Sequence, residues 1–328
     1  QKQVFVTDSV EGIVPDFLTL LHGVIDSPDI PLNVSRSYLQ ADGNVKKIAS
    51  HITKKVADKL DEMFRKDRAD FESKWNDMKI IIEYGMLTED KFFEKAKKFA
   101  MYADTDGGLH TFEAYLESIK EHQTDKDKKT VVLYASNKDA QHSYIQNAKS
   151  KGYSVLLLDS PLTSHLLQKL EQEHENTTFA RVDSDLIDNL IKKDETRVAK
   201  LSDKQKEELK TRLETIVPTE KFTLKLEDMD STEAPLVITV PEFMRRMKEM
   251  QMTGGGGMMG MGDFPDMYDL IVNANHPLAS KILDTEDAYA RSSAVNQALD
   301  LAKLQQNLLH GEELTAFIAR SYEMLGNE

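Results

Sequence analysis

Arg36 is a residue of this sequence whose type could take part in phosphate chemistry, and Asn33 and Gln40 lie close to it. They lie in a polar segment, residues 32–40, that we expect to form a loop. A guanidinium is a planar fork of hydrogen-bond donors that suits a phosphate, and it could stabilise charge developing on a γ-phosphate bound elsewhere. Residue types alone, however, favour an ordinary surface arginine at this position.

A methionine-rich segment, residues 243–261, could bind other proteins. Methionine is unbranched and polarisable, and it is typical of surfaces that accept many partners. We predict that Phe243 belongs to the core. For the methionines, packing on a sheet and exposure to a partner remain open. The candidate binding residues are Met244, Met247, Met250, Met258, Met259 and Met261.

Residues 130–160 predict a β-α-β unit, which raises the question of nucleotide binding. The unit lacks both glycine-rich phosphate motifs, and its first turn, Ser136-Asn137-Lys138-Asp139, contains no glycine. We therefore interpret it as structural.

Other site chemistries find little support. The chain has no cysteine, its nine histidines show no metal-ligand spacing, and it contains no serine elbow motif. The single tryptophan, Trp75, lies in an amphipathic pattern that predicts a core position. We expect no metal site.

The composition indicates a globular protein with a wet surface. Hydrophobic residues make up 40% and charged residues 30% of the 328 residues, and the net charge is −14. This charge argues against nucleic-acid binding, and no apolar run is long enough to cross a membrane. The lack of cysteine is compatible with a cytoplasmic location. Because the chain begins with Gln1, we expect a piece of a longer protein.

Apolar spacing predicts the elements of the first half. We expect a strand at 3–7, a helix opened by Pro15, a long helical region from 45 to 100 and a short helix from Thr111. Strands at 130–135 and 153–159 alternate with helices at 141–151 and 162–173, and residues 181–195 look partly helical.

The second half predicts a three-stranded sheet and a terminal helix pair. The strands are 222–227, 236–240 and 268–273, and helices cover 203–216 and 242–252. Two helices, about 286–307 and 312–325, should fold back antiparallel around Gly311. Two copies of the pair would form a four-helix bundle. The predicted interface residues are Val295, Leu299, Ala302, Leu314, Phe317, Ile318 and Leu325.

Two passages resemble the ninety-kilodalton heat-shock protein family. One is the segment from Val14-Pro15-Asp16-Phe17 through Asn33-Val34-Ser35-Arg36-Ser37 to Gln40, and the other is Lys151-Gly152-Tyr153 with the apolar run to Asp159. The last two helices also fit the family. Because no acidic tail follows Glu328, the bacterial HtpG type is the expected kind.

The resemblance implies an ATP-dependent chaperone that assists the folding of client proteins as a homodimer. In that family Arg36 would reach the ATP γ-phosphate, Gln40 would help to order the loop, and Asn33 belongs to the same catalytic loop. The family has Glu after this arginine, where this chain has Ser37. ATP and Mg²⁺ would bind to a domain that this chain lacks. The implied partners are unfolded clients and the seventy-kilodalton heat-shock chaperone.

The expected fold class is mixed α+β and α/β. We predict the end of a large α/β middle subdomain with the catalytic loop (1–40), a helical connector (41–122), a small α/β subdomain (123–198) and a C-terminal dimerisation domain (199–328). Two other functions remain open, a dimerisation module without client binding and a self-contained α/β enzyme acting on a small molecule.

Overall fold

The structure, a computed structural model, describes residues 3–5, 12–18, 22–26, 28, 43–193, 197–253 and 267–326, with backbone alone for 43, 44 and 250–253. The chain divides into two compact units. The first comprises residues 1–118 and 160–175, and the second comprises residues 119–159 and 176–328. Both units mix helices with small sheets, as expected for the fold class.

Helices dominate the first unit. They are α1 (Gly43–Lys66), α2 (Arg68–Thr88), α3 (Asp90–Ala96), α4 (Phe112–Ile119) and α6 (Thr163–Glu173), with a two-stranded antiparallel sheet of β1 (Met101–Ala103) and β2 (Leu109–Thr111). Asp67 caps α2, because its side chain accepts a hydrogen bond from the Asp70 amide. The predicted helical region is therefore confirmed, whereas the hairpin was not predicted.

Aromatic rings form the centre of the first unit. Phe71 and Phe99 meet edge to face, with ring centroids 6.2 Å apart, and Trp75 packs beside Phe71. Trp75 is 2% exposed, which confirms the prediction that it is a core residue. A short 3-10 helix, Asp16–Leu18, places Phe17 against Phe92 of α3, with centroids 4.7 Å apart.

Two predictions for the first residues are wrong where the structure describes them. Gln3, Val4 and Phe5 form no strand, and Phe5 is 80% exposed. The helix expected from Pro15 is limited to the 3-10 turn, since residues 22–26 are not helical and Val24 is fully exposed.

The second unit begins with a parallel sheet. Its strands β3 (Thr130–Ala135), β4 (Val155–Leu157) and β5 (Thr177–Arg181) take the order β4-β3-β5, with α5 (His142–Ser150) after β3 and α7 (Ile187–Leu190) after β5. Gly152 ends α5 with a φ of +80°, as its position predicts. Strand β5 was not predicted, because its polar residues interrupt the alternation of apolar and polar side chains that is typical of a strand.

The C-terminal part of the second unit has its own sheet, in the order β6-β8-β7. Its strands are β6 (Phe222–Glu227), β7 (Leu236–Thr239) and β8 (Tyr268–Asn273); β6 and β8 are parallel and β7 and β8 antiparallel. The helices are α8 (Asp203–Glu214), α9 (Glu242–Thr253), α10 (Pro277–Asp284), α11 (Ala288–Gln305) and α12 (Gly311–Gly326). Residues of α8, α10 and α11 share one apolar core with this sheet. Helix α10 was not predicted.

Candidate functional site

The predicted catalytic residues lie outside the described part of the chain. Asn33, Arg36 and Gln40 are among them, as are Met258, Met259 and Met261, and the side chain of Met250 is not described. The candidates that the structure does describe are Met244 and Met247 of α9 and the two terminal helices.

Glu242 anchors the start of α9 to the parallel sheet. Its Oε1 accepts hydrogen bonds from the Tyr134 hydroxyl at 3.0 Å and from Arg245 and Arg246 at 2.6 Å each. Its Oε2 accepts a bond from the Arg181 amide at 3.3 Å. Burial raises the pKa of this carboxyl, but the two guanidinium groups outweigh burial and hold its pKa below the usual value.

A second buried pair lies beside this anchor. Arg181 donates from Nε and Nη2 to the two carboxylate oxygens of Asp183, at 2.6 and 3.0 Å, and Gln141 donates to the same carboxylate at 2.8 Å. Bidentate pairs of this kind fix geometry as well as charge. The polar groups of α5, β3, β5 and α9 thus form one network within the second unit.

Sequence reasoning missed this network. Tyr134 offered a signal, since a hydroxyl in an otherwise apolar buried strand needs a hydrogen-bond partner. Nothing in the spacing of the sequence indicated that the partner would be Glu242, which lies 108 residues further along the chain.

Helix α9, which carries Met244 and Met247, exposes a residue that we expected to be buried. Phe243, which we predicted to be in the core, is 73% exposed. Met244 and Met247 are half-buried and line a cavity of about 250 Å³ together with Arg181, Lys248 and Tyr268. The prediction for Phe243 is wrong because α9 buries Arg245, which lies two residues further along and therefore on the opposite side of the helix.

In the first turn of the β-α-β unit, side chains of the same segment accept hydrogen bonds from the backbone N–H groups. The backbone N–H groups of Ser136 and Asn137 donate to Gln141 Oε1, at 2.8 and 3.0 Å, and the Asn137 side chain accepts from the amides of Asp139 and Ala140. A phosphate loop needs such amides to point at the ligand. The described geometry agrees with the structural interpretation of the unit.

The terminal helices fold back on each other as predicted. Arg320 of α12 bonds to Asp300 and Gln297 of α11, at 2.6 and 2.8 Å, and Lys303 of α11 pairs with Glu313 at 3.2 Å. Partner numbers fall on one helix as they rise on the other, which defines an antiparallel pair.

The structure divides the predicted interface residues into two groups. Val295, Leu299 and Ala302 are at most 3% exposed and pack in the core of the same protomer, so we withdraw them as interface residues. Their side chains belong to the apolar core that α11 shares with the sheet β6-β8-β7. Helix α12, by contrast, has no buried residue. Its apolar residues, and two on the outer side of α11, are partly or largely exposed: Leu301, Leu304, Leu314, Phe317, Ile318, Tyr322 and Leu325.

Within the ranges that the structure describes, no group of three or more His, Asp or Glu side chains could hold a metal ion. In the same part of the chain, no helix has both the length and the apolar character needed to cross a bilayer.

Comparisons with known proteins agree with this architecture. A family model described as Hsp90 protein matches residues 1–325. The chaperone protein HtpG of Bacteroides thetaiotaomicron is 44% identical, with 99% of this chain and 57% of that protein covered. The HtpG of Porphyromonas gingivalis is 50% identical over 93% of this chain and 45% of that protein, and that of Myxococcus xanthus is 25% identical.

The mixed fold and the matched family define the class of protein. This chain belongs to the Hsp90 protein family. It is similar over most of its length to bacterial HtpG chaperones, and it spans about half the length of the curated relatives it matches.

Proposed function

We propose that this chain is part of an ATP-driven molecular chaperone that works in the cytoplasm as a homodimer. The observation that carries the proposal is the similarity to HtpG chaperones over 99% of the chain. Within that chaperone, residues 1–40 would supply Arg36 to ATP and Mg²⁺ held by another domain, with Asn33 and Gln40 in the same loop. The described residues would supply client-binding and dimer surfaces.

The dimer surface in this proposal is the outer side of the α11–α12 pair. An amphipathic helix without a buried residue leaves its apolar stripe in water, which is unfavourable by about 25 cal/mol per Å². A second copy related by a two-fold axis would cover the same stripe on both protomers. Leu314, Phe317, Ile318 and Leu325 stay in the proposed interface, and Leu304 joins them.

The client surface in this proposal centres on Phe243 and the methionines of α9. An aromatic ring that is 73% exposed beside half-buried Met244 and Met247 offers an adaptable apolar contact. Unfolded segments expose apolar side chains that such a surface would bind. The same stretch of sequence also contains the other proposed client-binding methionines, Met250, Met258, Met259 and Met261. The seventy-kilodalton heat-shock chaperone is a further proposed partner.

Suppression of client aggregation tests the client surface. In the full-length protein, Phe243→Ser should raise the concentration needed for half-suppression of light scattering by about threefold, with an unchanged thermal midpoint. Tyr289→Ser removes another exposed aromatic, which is 84% exposed at the start of α11, and serves as the matched control. Equal losses in the two variants would assign the effect to general hydrophobicity and remove α9 from the proposal.

A further inference from the structure

The first half of α1 carries basic side chains along the side that faces solvent. Five of the six residues on this side are exposed, and Ser50 is half-buried. We call this set the basic face, and its members are Lys46, Lys47, Ser50, His51, Lys54 and Lys55. Val45 and Ile52 pack with Ile13 about 160° away around the helix from Lys47 and Lys54. The basic face is thus separate from the core, and it extends for about 14 Å along the helix axis.

The four lysines of the basic face have no ion pair and no hydrogen-bond partner among the residues that the structure describes. Lys46 and Lys47 also lie near the start of α1, where the partial positive charge of a helix N-terminus is unfavourable for a cation. Further along α1 and α2, basic side chains pair with acidic ones of the same helix: Lys59 with Glu62, Arg65 with Asp61, Arg68 with Glu72 and Lys74 with Asp70. The lysines of the basic face therefore do not stabilise α1 electrostatically.

The acidic residues that neighbour the basic face have cations of their own. Asp58, four residues after Lys54, bonds to Lys95 of α3. The pKa of Asp58 is lowered first by this bond and further by the charges of Lys54 and Lys55. The acidic residues of α3 are paired as well, Asp90 with Lys169 and Glu94 with Lys97. Each of these carboxylates is thus compensated by a cation that is not part of the basic face.

The undescribed residues next to α1 offset the positive charge only in part. Residues 29–57 together contain five basic side chains and two acidic ones, Asp29 and Asp42. Asp8 and Glu11 precede Ile13, which packs on the side of α1 opposite the basic face. An excess of positive charge therefore remains around the basic face, although the chain as a whole has a net charge of −14.

The chemistry of the basic face favours a ligand made of hydrogen-bond acceptors. An ammonium group has three donors and no acceptor, and none of the six residues is apolar. A peptide would bring its own backbone N–H donors, which the four lysine side chains cannot accept. A bulky polyanion such as duplex nucleic acid would also meet the negative charge of the whole chain, whereas a thin polyanion would contact the basic face alone.

We propose that the basic face binds linear inorganic polyphosphate, a polymer in which every oxygen is an acceptor and each unit carries negative charge. Lys46, Lys47, Lys54 and Lys55 would each pair with a phosphate as a point charge, along the face of about 14 Å. Ser50 would donate a hydrogen bond between them. This binding does not depend on the proposed ATP-driven activity or on the proposed client surface.

Fluorescence anisotropy of an end-labelled polyphosphate of about ten units, titrated with the chain, provides a direct test. The Kd should be on the order of 10–100 μM in 50 mM NaCl. Because four phosphates are neutralised, binding should be about 50-fold weaker in 200 mM NaCl. Orthophosphate at the same phosphate concentration should displace the probe at least about tenfold less well, since a single phosphate cannot contact all four lysines.

Two double variants that lose the same charge test the location of the site. Lys47→Gln with Lys54→Gln should weaken polyphosphate binding about tenfold in 50 mM NaCl and reduce the effect of salt from about 50-fold to about sevenfold. Lys204→Gln with Lys210→Gln, at exposed positions of α8, should leave both quantities unchanged. The thermal midpoints should match that of the parent chain, because all four side chains are exposed.

Any of four results would overturn the proposal. These are equal affinities for polyphosphate in the two double variants, binding that does not depend on salt, hexaglutamate that binds as tightly as polyphosphate at equal charge, and tighter binding to vesicles of phosphatidylglycerol. The third result would assign the basic face to acidic protein segments, and the fourth would assign it to a membrane surface.

Discussion

At the scale of single residues, Arg36 carries the proposed link to ATP. Arg36→Ala in the full-length protein should lower ATP turnover about 100-fold, since a contact made only in the transition state is worth about 3 kcal/mol. The KM for ATP should change little. Arg65→Ala, at an exposed arginine of α1, is the matched control. Unchanged turnover in Arg36→Ala would remove the residue from the mechanism.

Glu242 is a second single residue with a predicted effect, and this effect is on the stability of the folded chain. Glu242→Gln would remove the part-buried carboxylate that both Arg245 and Arg246 contact, while the pair of Arg245 with Glu249 remains, so the thermal midpoint should fall, with a cost of about 3 kcal/mol. Glu214→Gln, at an exposed position of α8, should have little effect. Urea unfolding of both variants at pH 7 measures the difference, and equal stabilities would show that the network contributes nothing there.

The pH dependence of Glu242 follows from its lowered pKa. The folded protein holds this proton less tightly than the unfolded chain, whose pKa for Glu is about 4.3. The ionised carboxylate therefore stabilises the fold above about pH 4.3, and this contribution is lost as the pH falls through the lower folded pKa. Glu242→Gln should flatten the acid limb of stability against pH. An unaltered acid limb in urea titrations would contradict the assignment.

At the scale of elements, Gly85 lets the 3-10 helix pack on α2. A Cβ at this position would lie 2.6 Å from the Phe17 ring and 2.9 Å from Phe92. Gly85→Ala should therefore destabilise the first unit by about 1–3 kcal/mol, because overpacking outweighs the gain of about 1 kcal/mol in helix propensity. Gly326→Ala, where no atom lies within 4 Å, is the control. A rise in the thermal midpoint of Gly85→Ala would show that the rings move aside.

The observed helices and strands also show which parts of the fold could be predicted from the sequence alone. Strands Thr130–Ala135, Phe222–Glu227 and Tyr268–Asn273 were predicted at their observed bounds. The first and third are mostly apolar, and Phe222–Glu227 alternates apolar and polar residues. Strand Thr177–Arg181 was missed, since it is short and pairs with a strand distant in sequence. The hairpin strands were missed because three residues are too few to show a period. Periodicity also could not tell which side of α11 faces its own sheet, so three core residues were predicted to face a partner.

At the scale of the whole molecule, the exposed stripe of α12 predicts a dimer. Ile318→Glu should give a monomer at about 10 μM with an unchanged thermal midpoint, because a charge in an apolar interface is costly. Ala316→Glu adds the same charge about 160° away around the helix and should stay dimeric. Leu299→Glu should instead unfold the second unit, since Leu299 is 2% exposed. Sedimentation velocity distinguishes these states, and a monomeric parent chain would overturn the dimer.

The division of the chain into units has a consequence for synthesis on the ribosome. The polypeptide passes from one unit to the other after residue 118, returns after residue 159 and leaves again after residue 175. Residues 160–175 belong to the first unit, yet they are made after the first two strands of the parallel sheet. The first unit therefore cannot be complete until α6 has been synthesised, and the parallel sheet cannot be complete until β5 has been synthesised. The two units mature in overlapping order, so a nascent chain stopped near residue 150 holds neither of them complete.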